Sequence, residues 1–274
     1  EGVYDYEYLI AVNALITKLG EAGIYTLVDM HQDVFARSIC GEGFPDFYAK
    51  EAYGKHPACL NWLVDKKLEP YYEMLGFCKN MNSYGYRVDE NGDYLIEDCQ
   101  KAFFATYYSS PQSMQAFKAL YDNKNGLQDK FVDYWDVTSA ALANNPYVVG
   151  FDPLNEPFPG NPLQSPKNLY PGHADATLLA PMYERIFEKY MANNNDSVMW
   201  FEPHMFPDVL PNGGSGFVVP VGFEKPPGAE IGSRNHALND HTYCCSLGFS
   251  VCADGEPSTE MADTCLAFHE KRIG

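Results

Sequence analysis

Glu156 stands between Asn155 and Pro157 at the end of an apolar run, 147–151. The run reads as a buried strand that delivers an amide and a carboxyl group side by side at its C-terminal end. Proline stops the strand there, so Glu156 projects from the rim of a sheet or barrel. A carboxyl group in that position, partly desolvated and bonded to neighbours, can donate a proton near neutral pH. The plainer account is that Glu156 caps the next element, because three residues make a short motif.

Other strand ends bear on that choice. The apolar run 24–30 ends in His31, Gln32 and Asp33, and the run 198–201 ends in Glu202, Pro203 and His204. A further short segment carries His241, Thr242, Tyr243 and Cys244. Each run places polar, chemically capable side chains where apolar residues stop. In an α/β barrel the strand C-termini open onto one pocket, which is the pattern these endings describe.

Those strands need helices between them. Leu9, Val12, Leu15, Ile16 and Leu19 recur at helical spacing over 5–21, and Gly20 and Gly23 bracket the end. The spacing predicts further helices over about 98–109, ending before Pro111, over 127–144, over 174–193 and over 258–271. In 127–144, Leu127, Phe131, Trp135 and Leu142 share a face; in 174–193, Leu178, Met182, Ile186 and Tyr190 do. Strands are expected at 24–30, 147–151, 198–201 and about 237–243. Segment 34–97 shows no steady period, and a connection of that length in a compact domain is usually functional. Residues 207–235 are rich in Gly and Pro and read as a rim loop. Alternation of helix and strand argues for an α/β fold with parallel strands.

The 274 residues suffice for one barrel-sized domain. A formal charge of −18 argues against a nucleic-acid partner and against attraction to an anionic membrane. No run reaches the ~20 apolar residues of a membrane span. Of the eight cysteines, Cys40, Cys59, Cys78 and Cys99 lie in the irregular segment, and no Cys/His spacing suggests zinc. Local disulfides formed in an oxidising compartment explain them best, with free cytosolic thiols as the alternative. Asn195-Asp196-Ser197 is a weak glycosylation signal. His204 and His236 read as polar rim residues. The aromatics Phe44, Phe47, Tyr48, Tyr53 and Trp62 read as a small satellite core, or else as a wall for an apolar ligand.

The motifs Asp29-Met30-His31-Gln32-Asp33, Cys40-Gly41-Glu42-Gly43-Phe44-Pro45, Phe151-Asp152-Pro153-Leu154-Asn155-Glu156-Pro157, Trp200-Phe201-Glu202-Pro203 and His241-Thr242-Tyr243-Cys244 resemble those of endoglycoceramidases, in family 5 of the glycoside hydrolases. The likeness runs along the whole chain. It implies a (β/α)8 barrel, of which residues 1–274 form the central part. The first strands and the seventh and eighth are expected to be missing, and a C-terminal β-sandwich domain is expected in the full-length protein. It also implies a retaining β-glycosidase that cleaves between glycan and ceramide in glycosphingolipids. Such enzymes use two carboxyl groups roughly 5–5.5 Å apart.

By that resemblance Glu156 is the general acid/base. Asn155 bonds the sugar 2-hydroxyl, His31 and Asp33 hold the glucose, Tyr243 positions the nucleophile, and His241 lines the same wall. The family nucleophile is a glutamate in a Thr-Glu-Phe-Gly-like motif, which this sequence lacks, so the chain alone is expected to be inactive. Glu202 is read as a substrate-wall or structural residue rather than as the nucleophile. Glu42 belongs either to a plain turn or to a loop touching sugar. No cofactor or metal is implied. The expected partner is the glycosphingolipid, with possible peripheral lipid contact, and the expected location is secreted or lysosomal. A glucosylceramidase, another β-glucosidase or a β-glucanase is the nearest alternative, and a non-catalytic glycolipid-binding fragment the more distant one.

Overall fold

The computed structural model describes residues 2–75, 77–194, 196–204 and 221–241, with 252–253, 256–257, 262–263, 266–267 and 270. The first helix, α1 (Tyr6–Glu21), starts at Asp5, whose carboxylate accepts the Tyr8 N–H at 2.9 Å. Ile16 is its most buried large side chain, while Leu15, placed on the inner face by periodicity, is exposed. Gly20 lies within this helix because the Tyr147 ring fills the space a Cβ would occupy. The first strand, β1 (Thr26–Asp29), follows directly.

Segment 34–97 is more ordered than its irregular sequence suggests. It holds α2 (Asp46–Tyr53) and α3 (Trp62–Leu75), and α4 (Ile96–Cys99) closes it. Two disulfides, Cys40–Cys99 and Cys59–Cys78, staple it. Asp98 is buried and accepts two bonds of 2.9 Å from the Arg87 guanidinium. Those bonds and the Lys101 ammonium hold its carboxyl well below the usual range. The helix expected over 98–109 is absent. A 3-10 turn (Phe104–Ser109) stands there instead, and α5 (Pro111–Tyr121) begins at the proline taken for a stop. Ser110 caps it by accepting the Ser113 N–H at 3.2 Å, and Pro111 takes the first turn, where its missing N–H costs nothing.

Next come α6 (Leu127–Leu142), β2 (Val148–Asp152), α7 (Ala180–Asn193, preceded by a π turn at Asp175–Leu179), β3 (Met199–Phe201) and β4 (His236–Leu238). The strands form one parallel sheet in the order β1-β2-β3-β4. The expected strand near 237–243 is thus shorter and starts one residue earlier. Helices α6 and α7 pack together over the sheet, where Trp135, Phe151 and Tyr190 meet with ring centroids 5.0–6.0 Å apart. Gly150 lets β2 approach β3, since a Cβ there would lie 2.4 Å from the Val198 carbonyl oxygen. Residues Cys252–Ala253 and Glu256–Pro257 form a small antiparallel pair, β5 and β6. The helix expected over 258–271 and the stretch 207–220 lie largely or wholly outside the described residues, as do Asn195, Tyr243, Cys244, Cys245 and Cys265.

Two readings of single residues are corrected. His204 is no rim residue: it is buried, and its Nδ1 lies 2.5 Å from the equally buried Asp175 carboxylate. His236 is fixed inside β4, with Nδ1 2.9 Å from the Ser233 hydroxyl and Nε2 2.9 Å from the Pro227 carbonyl. Among the aromatics, Phe44 and Tyr48 are core, stacked with Phe35, whereas Phe47 is exposed.

Candidate active site

Parallel pairing brings the strand C-termini to one rim. Asp29 and Asp152 face each other across β1 and β2, and Phe201 pairs with Leu238 across β3 and β4. The residues after these positions are the ones with chemical capacity, and the chain turns there under constraint. Glu156 has φ 42° and Val34 φ 57°, backbone that non-glycine residues avoid. Such strain persists only where neighbours fix it.

Gln32 is one such neighbour. It is wholly buried, and its amide N–H groups donate to the carbonyls of Asn155 (2.7 Å) and Glu156 (3.1 Å). Its Oε1 accepts the Phe35 N–H at 2.9 Å. Asn155 returns a bond from its side chain to the Gln32 carbonyl at 3.0 Å. One amide thus locks the turn after β1 to the turn after β2. The glycines around Glu42 have a related purpose. Cβ atoms at Gly41 and Gly43 would strike the Asp33 carbonyl oxygen and the Gln32 side chain, at 2.0 and 2.5 Å. Their absence lets the loop pair directly with Asp33, through Glu42 N–H to Asp33 O (2.7 Å) and Asp33 N–H to Glu42 O (3.2 Å). Glu42 is therefore held beside His31 and Asp33, and ligand-type atoms of the three lie within 4.8 Å of one another.

Glu156 is gripped from two sides. Its N–H donates to Glu202 Oε2 at 2.8 Å, and its Oε1 lies 3.1 Å from His241 Nδ1. The other ring nitrogen of His241 lies 3.2 Å from Glu202 Oε1. The bond to Glu156 raises the His241 pKa. Burial, and next the charge of Glu156, raise that of Asp33, whose Oδ1 also accepts the Tyr108 hydroxyl at 3.2 Å. His31 is exposed, with Nδ1 2.8 Å from Asp29 and Nε2 3.6 Å from Asp33. Burial lowers its pKa, but Asp29 and Asp33 together raise it further. Glu156, His31, Asp33 and His241 therefore share one rim, with Asn155 buried directly beneath it at 3 % exposed. Glu202 does not face it. Only 1 % exposed, it lies behind Glu156, where Tyr183 donates to its backbone carbonyl at 3.2 Å. A groove of about 710 Å3 opens beside Asp33 and Glu42, and the exposed Ile96, Phe103 and Phe104 form part of its wall.

Curated relatives align with most of this chain. An endoglycoceramidase of Hydra vulgaris is 31% identical over 241 residues, 88% of this chain and 41% of the relative. The chain is endoglycoceramidase-like. An endoglycoceramidase of Cyanea nozakii is 29% identical over 242 residues, 88% of this chain and 42% of its own length. The chain spans less than half the length of these endoglycoceramidases. Endo-glycoceramidase II from Rhodococcus sp. in a five-membered iminocyclitol complex superposes with a TM-score of 0.64 at 22% identity, covering 98% of this chain and 50% of that one. The same enzyme's ganglioside GM3 complex superposes with a TM-score of 0.59 at 22% identity over 88% and 45%. That likeness shows the fold: the open four-stranded parallel sheet described above is an arc of an α/β barrel. No family model matches.

Gln32 and Asp152 stand inside the quoted motifs but were given no role there, and Asn239 and Tyr108 were not singled out in the sequence. Asn239 donates to Asp152 Oδ2 at 2.7 Å and lies 3.3 Å from Glu202 Oε1. Its position directly after an apolar strand was the available signal.

Proposed function

We propose that this chain carries the acid/base half of a retaining β-glycosidase of the endoglycoceramidase type, which cleaves the bond between glycan and ceramide. The observation that carries the reading is Glu156 itself, a part-exposed carboxyl at the C-terminal rim of the sheet, held by His241 beside it and Glu202 behind. A proton between Glu156 and His241 is available to the glycosidic oxygen as the ceramide departs. In the second step Glu156 takes a proton from the water that releases the glycan. Asn155 retains a second amide N–H and a carbonyl oxygen for the sugar 2-hydroxyl. His31 and Asp33, with Glu42 next to them, present donors and acceptors to the glucose hydroxyls.

The nucleophile must approach from the other face of the sugar. Glu202 is buried behind Glu156, so we assign that role to a carboxyl outside these 274 residues, and the chain alone is then inactive. We assign the lipid half of the substrate to the exposed Ile96, Phe103 and Phe104 beside the groove, in place of Phe44 and Tyr48, which are core. The two disulfides favour an oxidising, secretory location.

The test uses the full-length protein on fluorescent lactosylceramide and on a soluble cello-oligosaccharide at equal concentration. The expected result is release of intact lactose at the higher rate, with Glu156→Gln slowing poor leaving groups most and azide restoring turnover of good ones. Faster hydrolysis of the soluble glycan would replace this reading with a β-glucanase. Binding of the lipid without hydrolysis would leave a glycolipid-binding protein.

A further inference from the structure

We infer that Asp152 and Glu202 share a single proton, as a buried carboxylic acid–carboxylate pair that positions Glu156 from behind. Both side chains are 1 % exposed and lie within hydrogen-bonding reach of each other. The Asn239 amide bridges them, at 2.7 Å from Asp152 Oδ2 and 3.3 Å from Glu202 Oε1. The remaining contacts are few. Asp152 Oδ1 accepts the Leu154 N–H at 3.3 Å, and Glu202 Oε2 accepts the Glu156 N–H at 2.8 Å. Among the described residues no lysine or arginine bonds to either carboxyl. Two adjacent buried carboxylates without such a cation cannot both ionise, so one keeps its proton and donates it to the other.

The groups facing the pair are Asp29 from β1, Glu156 from the turn after β2, Tyr183 and Tyr190 from α7, and His241 after β4, which Asp240 adjoins in turn. Asp29 and Glu156 can carry negative charge, and Tyr183 and Tyr190 are held protonated by burial. Among the described groups facing the pair only His241 can supply a positive charge, and it divides its two ring nitrogens between Glu156 and Glu202. Burial is the largest cause pushing Glu202 and Asp152 upward, and the charge of Asp29 adds to both; Asp152 pushes Glu202 further up, whereas the bond from Glu202 lowers Asp152, so the proton rests on Glu202.

A shared proton explains why a glutamate stands behind Glu156. Glu202 keeps one oxygen free to accept the Glu156 N–H, which pins the left-handed φ of 42°. Its other oxygen orients His241, and through it the Glu156 carboxyl. Glu202 and Asp152 are positioning residues, since neither reaches the rim. This catalytic consequence rests on the proposed glycosidase; the shared proton does not.

The linkage has a definite sign. Above the ordinary carboxylate range, about pH 4, the folded pair holds a proton that the unfolded chain has released. Stability therefore falls as pH rises from there towards alkaline values.

The experiment compares the full-length parent with Glu202→Gln, Asp152→Asn and Glu202→Leu. Infrared difference spectra at neutral pH should show a protonated carboxylic acid C=O band in the parent, shifted in heavy water and lost in either single amide variant. Melting temperature should decline less steeply between about pH 5 and about pH 9 in Glu202→Gln than in the parent. On a ceramide glycoside, Glu202→Leu should lose about 100-fold in kcat with KM little changed, as expected for misplacement of a catalytic group. Both amide variants should lose less. If Glu202→Leu does not fold, the amide variants carry the test without it. A parent lacking the band, a band that survives both amide substitutions, or parallel melting profiles would each overturn the shared proton. If no ceramide glycoside is cleaved, the glycosidase reading fails while the spectra and melts still decide the pair.

Discussion

Gln32 uses every polar atom of a wholly buried side chain, and its bonds reach 123 and 124 residues along the sequence. Gln32→Leu keeps the volume and removes those bonds, leaving two carbonyls and one N–H buried without it. Each such group costs roughly 1–3 kcal/mol, and the terms are not additive, so a loss of about 3 kcal/mol is expected. Thermal melting reads that loss directly. Because the Asn155–Glu156 turn loosens, kcat should fall more than KM rises; a variant with the parent's melt and kcat would remove Gln32 from the site. His241 gives a second prediction at this scale. Its folded pKa is raised by Glu156. The stability it adds is therefore complete below about pH 6.5 and fades as pH rises through the elevated value. The melting difference between parent and His241→Gln should be largest in mild acid and shrink in alkali, and a difference that grows with pH would contradict the pairing.

At the scale of elements, what the sequence made legible follows from where partners lie. Strands β1 to β4 were readable because buried parallel strands are apolar runs, and the rim residues because they follow those runs at once. Helix α5 was not, because Pro111 was taken as a terminator when Ser110 and Pro111 together make a start. Gln32, Asp152 and Asn239 were given no role because their meaning lies in partners far along the chain: 123 and 124 residues for Gln32, and 37 and 87 residues for Asn239. The loop around Glu42 was half readable: its glycines announced a tight turn, but the backbone pairing with Asp33 depends on how closely the loop folds onto Gln32 and Asp33. Clustering of the four cysteines announced local staples, and the two bonds differ in reach. Cys40–Cys99 spans 59 residues and Cys59–Cys78 spans 19. Loop-closure entropy then assigns roughly 4 kcal/mol to the first and roughly 3 kcal/mol to the second. Replacing Cys40 and Cys99 with serine should lower the denaturation midpoint more, and it should also raise KM, because that bond lines the groove beside Glu42. Equal midpoints and unchanged KM for the two double variants would refute this ranking.

Over the whole molecule, two opposing surface properties decide how the 274-residue chain behaves alone. Among the described residues strand β1 ends the sheet, and next to it Ile24 and Tyr25 are more than half exposed, as are Tyr6, Tyr8 and Ile10 on α1. An unpaired strand edge beside apolar side chains is a template for association. The net charge of −18 works against it, since like-charged copies repel. These forces differ in their response to salt. The repulsion is screened, with a Debye length of about 30 Å at 0.01 M falling to about 3 Å at 1 M, whereas apolar contact is not weakened by that screening. The isolated chain should therefore remain monomeric at low ionic strength and associate as salt is added, binding a hydrophobic dye under both conditions. Light scattering and dye fluorescence across a salt series measure this. A chain that stays monomeric at 1 M salt, excludes the dye and melts in one sharp transition would show that the β1 edge and the α1 face need no cover, and charge could no longer be the force that keeps the copies apart.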